Sequence, residues 1–218
     1  MKLVSVNCGL PRETVWHGKS VTTSIFKEPV EGRVVLRTLN LDGDRQADLS
    51  VHGGKDKAVY CYPIEHYDYW KTELTGHQLV LGAFGENFTI EGLGENAVHI
   101  GDRFSVGSAE VIVTQPRLPC YKLGIKFGSD DMVKRFLNSR RTGFYLAVTH
   151  EGNVGAGDEM HMVSHDSESV SVSEITRLYV TKKYVIEDVN QMRRALKVAA
   201  LPESWKEHFE EELVRLRV

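Results

Sequence analysis

Arg103-Phe104-Ser105-Val106-Gly107-Ser108-Ala109-Glu110-Val111-Ile112-Val113 is the stretch on which the fold reading turns. Phe104 and Val106 alternate with Arg103 and Ser105, the chain reverses through Val106-Gly107-Ser108-Ala109, and Val111 and Val113 resume on one face. Period-two alternation on both sides of a glycine-containing turn predicts a β-hairpin. Lys2–Val6, Arg33–Arg37, Lys57–Tyr62 and Val98–Val106 carry the same strand texture before it, and Phe144–Thr149 and Glu159–Val163 carry it after, flanking a glycine-rich connection at Glu151–Asp158.

Two helical segments interrupt these strands. Pro63–Leu74 places Ile64, Tyr67, Trp70 and Leu74 on one face, and Ser129–Asn138 opens on Ser129-Asp130-Asp131 before Met132 and Phe136. Short strands at close intervals argue against a parallel βαβ sheet, so the expected class is mainly β: a closed or nearly closed β-barrel with helical insertions over residues 1–165. The polar run Ser164-His165-Asp166-Ser167-Glu168-Ser169 reads as a linker, and an all-α three-helix module over residues 166–218 follows it. Ser171 and Glu174 have capping-box spacing; Val189, Met192 and Leu196 form a second stripe, and Trp205, Phe209, Leu213 and Leu216 a third.

Composition bounds the function. The 218 residues are 41% hydrophobic and 26% charged, ordinary for a globular chain, and 27 Lys+Arg against 30 Asp+Glu give a net charge of −3. No overall basic field exists to hold nucleic acid or an anionic membrane, although a local cationic pocket would not show in the sum. The start MKLVSVNCGL lacks the layout of a signal peptide and no run reaches the ~18 apolar residues of a membrane span, so a cytoplasmic protein is expected. Three widely spaced cysteines suit thiols in a reducing compartment better than a disulfide framework.

Several familiar motifs fail. Gly18-Lys19-Ser20 ends like a P-loop, but Glu13 stands where the first glycine belongs. Gly152, Gly155 and Gly157 have the wrong spacing for a dinucleotide fingerprint, and no zinc-type Cys/His spacing occurs. Cys61, in Ala-Val-Tyr-Cys-Tyr-Pro, reads as an inert core residue, and Cys8 is undecided. Cys120 differs, because Gln115-Pro116-Arg117-Leu118-Pro119-Cys120-Tyr121-Lys122 puts a thiol on a proline-stiffened loop between two cations. Cations favour the thiolate, the form that attacks electrophiles or ligates soft metals; a small buried residue in a tight turn is the alternative. Asp44–Lys57 gathers Arg45, His52 and Lys55 near Gly53-Gly54, a loop suited to an anion, and Gly82-Ala83-Phe84-Gly85-Glu86-Asn87-Phe88 brackets an amide side chain with glycines. Either could also be a solvated turn.

Taken in order, Gly18-Lys19-Ser20 with Ile25 and Lys27, Asp44-Arg45-Gln46-Ala47-Asp48, Val51-His52-Gly53-Gly54, Ala58-Val59-Tyr60, Gly82–Asn87, Gly101-Asp102 and Gln115-Pro116-Arg117 with Pro119-Cys120 resemble the MOSC family, and most closely its YiiM-like branch, which carries a three-helix module. The resemblance implies a β-barrel holding the molybdenum cofactor (molybdopterin), with Cys120 as protein ligand to the molybdenum. It makes Lys19, Ser20, Arg45, His52, Lys55, Asn87 and Arg117 candidates for binding the cofactor's phosphate and pterin. It also implies reduction of N-hydroxylated small molecules, such as 6-hydroxylaminopurine and related base analogues, to the amine with release of water. Imidazole titrates near neutral pH, so His52 is the candidate proton donor beside Cys120. The chain has neither a flavin or nicotinamide fingerprint nor four cysteines for an iron–sulfur cluster, so a separate flavin or iron–sulfur reductase is the expected electron donor. Nucleic acid and membrane are not expected partners. The resemblance also carries a family-level association with pyridoxal phosphate, for which no residue is singled out. Two readings compete: a non-redox carrier of the cofactor or its sulfur, and a metal-free transferase or hydrolase with Cys120 as nucleophile.

Overall fold

The computed structural model describes residues 1–48, 53–165 and 169–217. Twelve strands are present in them: β1 (Lys2–Cys8), β2 (Arg12–Trp16), β3 (Lys19–Thr23), β4 (Glu28–Pro29), β5 (Arg33–Leu36), β6 (Val59–Pro63), β7 (Phe88–Glu91), β8 (Arg103–Val106), β9 (Ala109–Pro116), β10 (Phe144–His150), β11 (Gly152–Gly155) and β12 (Met160–Ser164). Six helices accompany them: α1 (Glu65–Glu73), α2 (Tyr121–Phe127), α3 (Met132–Ser139), α4 (Val172–Val180), α5 (Ile186–Ala195) and α6 (Glu203–Leu216).

The hairpin expected from Arg103–Val113 is β8–β9, registered Phe104↔Val111 and Val106↔Ala109. Gly107 makes its turn at φ 57°, and a Cβ there would lie 2.2 Å from the Asn153 carbonyl, so the β11 backbone crosses where a side chain would be. From this hairpin the main sheet grows to eight strands in the order β12-β8-β9-β10-β6-β7-β1-β4. The pairs β2–β3 and β5–β11 form separate two-stranded sheets.

Three expectations change. Among the described residues no closed barrel is found: β12 and β4 are the two ends of the strand order. The two sides of the sheet do approach, where Lys2 bridges Glu159, Leu3 N donates to Asp158 O and Gly157 N to Leu3 O, both at 2.8 Å, and Met160 N donates to Met1 O at 2.9 Å, but these contacts do not make a strand ladder. The chain is not mainly β, since strand and helix hold similar shares, about 30% and 29%. A parallel βαβ unit does occur, with β6 pairing β7 at Cys61↔Phe88 and Tyr62↔Thr89 while α1 crosses between them. Its β6 is buried at all five residues, the mark of a strand covered on both faces.

Two apolar clusters hold the fold. Below α1, α2 and α3, Trp70 stacks on Phe136 (centroids 5.5 Å, planes 11° apart) beside Tyr62, Phe84 and Phe127, and Trp70 Nε1 donates to Tyr62 Oη at 2.7 Å. The larger cluster runs from Phe104, Val111, Val113 and Leu146 in the sheet into Val172, Ile175, Leu178, Met192, Trp205 and Phe209 of α4–α6 without a break. Residues 98–100 join the two parts by backbone bonds: Ile100 N donates to Val170 O at 2.9 Å and Val172 N to Val98 O at 3.0 Å. The capping box expected at Ser171 is formed: Glu174 N donates to Ser171 Oγ at 3.1 Å and Ser171 N to Glu174 Oε2 at 2.7 Å.

Candidate functional site

The end of β9 leads into the loop that carries the candidate thiol. Arg117 N donates to Gly143 O at 3.2 Å, and Cys120 is the residue immediately before α2. A cleft enclosing about 650 Å³, part of it open to solvent, brings together Cys120, Arg117, Asn87, Lys27, Lys57 and Lys122, with Asp44, Tyr60, Gly85 and Tyr145 also in its wall. Among the described residues, four cationic side chains therefore line it against one carboxylate. The thiol's two sequence-flanking cations, Arg117 and Lys122, both line it and are only 5% and 8% exposed.

Arg117 is the decisive group. Its guanidinium is buried over Tyr60 and Phe136, at 5.2 and 5.0 Å from the ring centroids, and its Nη1 has no hydrogen-bond partner among the described residues. Burial works against the charge, but ionisation of Tyr60, Tyr145 and Cys120 at high pH would hold the guanidinium above its ordinary value, so it keeps its proton throughout. Burial also pushes the Tyr60 and Tyr145 phenols upward despite the nearby Arg117, so both are neutral at neutral pH. A buried cation with an unmet donor and neutral neighbours is a seat for an anion, because leaving such a donor unpaired is costly. Lys57 carries a related mark: burial, offset only in part by Asp56, lowers its pKa, a penalty that a bound anion would relieve.

Asn87 lines the cleft with its amide already committed. Its Nδ2 donates to Asp44 Oδ2 (2.9 Å) and Asn7 O (3.3 Å), and its Oδ1 accepts from Tyr60 N (3.2 Å). Asp44 in turn accepts from Gly9 N at 2.8 Å and pairs with buried Lys27. Asn87 is thus the positioning group for a buried carboxylate–ammonium pair. The loop that presents it, Gly82–Asn87, is wrapped around the Glu86 carboxylate, which accepts from Gly82 N at 2.9 Å, Phe84 N at 3.0 Å, Thr89 Oγ1 at 3.0 Å and the Tyr67 hydroxyl. Gly82 sits at φ +84°, and a Cβ there would meet Lys27 O at 2.8 Å, so only glycine lets this loop lie against the Lys27 backbone.

The other candidates are distributed differently. Arg45 is exposed; Asp44 and Gln46 on either side line the cleft, and Arg45 contributes its backbone N–H to Gly9 O at 3.2 Å. Lys55 is exposed on the short turn Lys55–Lys57, which points Lys57 inward instead. Lys19 and Ser20 are exposed on β3, whose last residue, Thr23, reaches the wall. His52 lies outside the described residues. Lys27 and Lys57 carry cation chemistry that the local loop patterns did not assign; Lys27 was visible only as part of the ordered family match.

The three thiols are unbridged and unlike one another. Burial pushes Cys61 far upward, as an inert core residue requires. Burial and the Asp44 charge raise Cys8 to about 11, with Lys27 opposing, so it too stays a thiol at neutral pH. Cys120 lines the cationic cleft and also a second, adjoining one of about 910 Å³. Tyr179, Ser204, Trp205 and His208 from the helical module form the far wall of that second cleft, while Lys57, Leu118 and Tyr145 are common to both. The donor set matches a soft metal with an anionic carrier: sulfur for the metal, and an unmet guanidinium and lysines for phosphate.

Residues 48–161 match the MOSC domain, and residues 170–213 match the YiiM-like 3-alpha helix domain. The chain is 41% identical over 214 residues to the uncharacterized protein YflK of Bacillus subtilis, covering 98% of this chain and 95% of that one. It is 38% identical to protein YiiM of Escherichia coli over 84% of this chain and 81% of the other. A protein of Gibberella moniliformis named "Reductase" is 30% identical over 74% of this chain but only 29% of its own length. The crystal structure of YiiM from Geobacillus stearothermophilus superposes with TM-score 0.80 at 32% identity, over 97% of this chain and 98% of that one. The chain belongs to the MOSC family, in the branch that joins this domain to a YiiM-like three-helix domain.

Proposed function

We propose that the protein is a molybdenum-cofactor-dependent reductase of N-hydroxylated small molecules, 6-hydroxylaminopurine and related base analogues among them, supplied with electrons by a separate flavin or iron–sulfur reductase. The observation that carries this reading is the buried, unpartnered Arg117 Nη1 in the cleft that also holds the Cys120 thiol. MOSC membership and the distant relative named a reductase support it.

When bound, the cofactor supplies the redox chemistry: two electrons and two protons convert N–OH to N–H and water. The chain's own residues bind and orient. Cys120 Sγ is the protein's ligand to the metal. Arg117 and Lys122, with Lys27 and Lys57, hold phosphate by charge-assisted hydrogen bonds. Asn87 fixes Asp44, and Asp44 fixes Lys27. The second cleft suits a flat heteroaromatic substrate, since the aromatic residues Trp205 and Tyr179 line it together with Cys120. A cytoplasmic setting belongs to the same proposal; among the described residues no helix is long and apolar enough to cross a membrane.

The test is to express the protein in a host that makes the cofactor, measure molybdenum and phosphate ester per chain, and assay 6-hydroxylaminopurine reduction with an artificial electron donor. Stoichiometric molybdenum with turnover, both lost in Cys120→Ser, is the expected result. Metal without turnover would make the protein a cofactor carrier, and no molybdenum would remove both readings.

A further inference from the structure

Away from the thiol, His99, Asp102 and His165 meet where the end of β12 and the turn before β8 adjoin the chain entering α4. One ring nitrogen of each histidine and one carboxylate oxygen of Asp102 lie within 4.8 Å of one another. Asp102 is fully buried; its Oδ2 accepts from His99 N at 2.8 Å and its Oδ1 lies 2.7 Å from His165 Nδ1. Among the described residues, His165 is the only charged or titratable side chain paired with this carboxylate. The imidazole of His99 packs edge-on against that of His165, with centroids 4.9 Å apart, and its buried Nδ1 has no partner among the described residues.

A buried carboxylate faced by two imidazoles, one of them with an unmet nitrogen, lacks a compact positive charge at its centre. We propose that His99, Asp102 and His165 form a site for a borderline divalent transition cation of the Zn2+ class, distinct from the Cys120 cleft. Two imidazole nitrogens and one carboxylate oxygen are the ligand types such ions select. In a tetrahedral site, ligands at 2.0–2.2 Å from one ion lie about 3.3–3.6 Å apart, so the three groups, within 4.8 Å of one another, close on it through side-chain adjustments of about an ångström. The His165 side chain is 37% exposed, which gives the ion an entry path and leaves outer positions to water. The ion's role is structural. It ties the end of β12 to residues 99–102, the segment that bridges Ser171 at the head of α4, and so clasps the helical module to the sheet.

The test uses the full chain carrying Cys120→Ser, so that a soft thiol does not compete and the result is independent of the molybdenum reading. Titration with Co2+, followed by visible absorption and by metal analysis after desalting, is expected to give one tightly held ion. Saturating metal should raise Tm by roughly 5 °C or more. Adding His165→Ala or, separately, His99→Ala should weaken binding at least about tenfold, with folding checked by circular dichroism. His165 is partly exposed, so its variant keeps the test valid if His99→Ala does not fold. Equal affinity in the histidine variants, or no Co2+ held below about millimolar concentration, would overturn the proposal.

Discussion

Arg117 shows how much chemistry one residue can carry when its neighbours decline to balance it. The guanidinium is buried over two aromatic rings with a free donor, and the phenols beside it are neutral. In the unloaded protein this is a cost, so Arg117→Met, which keeps the length and removes the charge, is expected to leave stability unchanged or raise it by roughly 1–3 kcal/mol. The same change should cut cofactor retention at least about tenfold, since charged hydrogen bonds contribute about 1.5–3 kcal/mol each. Thermal melts of cofactor-free protein and molybdenum content of loaded protein read the two halves; a destabilised variant that keeps its cofactor would reverse the assignment. Cys120 and Arg117 were legible because their signal is local: one loop, one thiol, two cations. Lys27 and Lys57 were not, because tertiary packing brings them in from separate segments, and a charge pattern around Lys55 does not say which of two lysines on one short turn faces inward. Asn87 was legible as a wall residue, but its committed amide shows only in three dimensions.

At the scale of elements, the loop Gly82–Asn87 is a backbone cage around one carboxylate. Every group that reaches Glu86 is a donor: Gly82 N, Thr89 Oγ1 and the Tyr67 hydroxyl at Oε1, and Phe84 N at Oε2. Glu86→Gln keeps the shape but must set an NH2 donor against one of these donors, so a loss of about 1–3 kcal/mol is expected. The loop also positions Asn87 and hence Lys27, so cofactor retention should fall with stability. Urea unfolding of this variant together with its molybdenum content checks the link, and an unchanged midpoint would show that the loop does not depend on the carboxylate. The glycines were visible in the sequence, the buried anchor was not, since a Glu between Gly and Asn reads as a solvated turn. The hairpin β8–β9 and the capping box at Ser171 were legible because period-two alternation and the Ser-x-x-Glu pattern are complete within a dozen residues. α2 escaped because it spans only seven residues, Tyr121–Phe127, with Gly124 in its middle. That glycine has a packing reason, since a Cβ would lie 2.9 Å from Ser129 O.

Across the whole molecule, pattern reading found strands and helices but not how the sheet ends or how far the core extends. Strand texture says nothing about whether the two sides of a sheet meet; here the start of β1 and residues 157–160 meet through the Lys2–Glu159 bridge and a few backbone hydrogen bonds, short of a strand ladder. The change of texture near residue 164 marks the change from strands to helices, yet the apolar cluster continues across it into α4, α5 and α6. Trp205 makes the junction specific. It is 5% exposed, donates from Nε1 to Gln115 Oε1 on β9 at 2.8 Å, and packs against Tyr179 and Phe209. Because the helices are individually short and their apolar faces are completed by the sheet, sheet and module should unfold together in one transition. Two single-reporter chains separate the parts: Trp16→Phe with Trp205→Phe leaves Trp70 in the cluster beside β6, and Trp16→Phe with Trp70→Phe leaves Trp205 at the junction. Each variant's own fluorescence midpoint in urea should coincide with its far-ultraviolet circular dichroism midpoint. Trp205→Ala should lower global stability by roughly 3–5 kcal/mol and shift the whole transition. An early loss of the Trp205 signal, with helical content falling while the Trp70 surroundings stay folded, would show two independent units. It would also mean that the wall of the second cleft opens without the first.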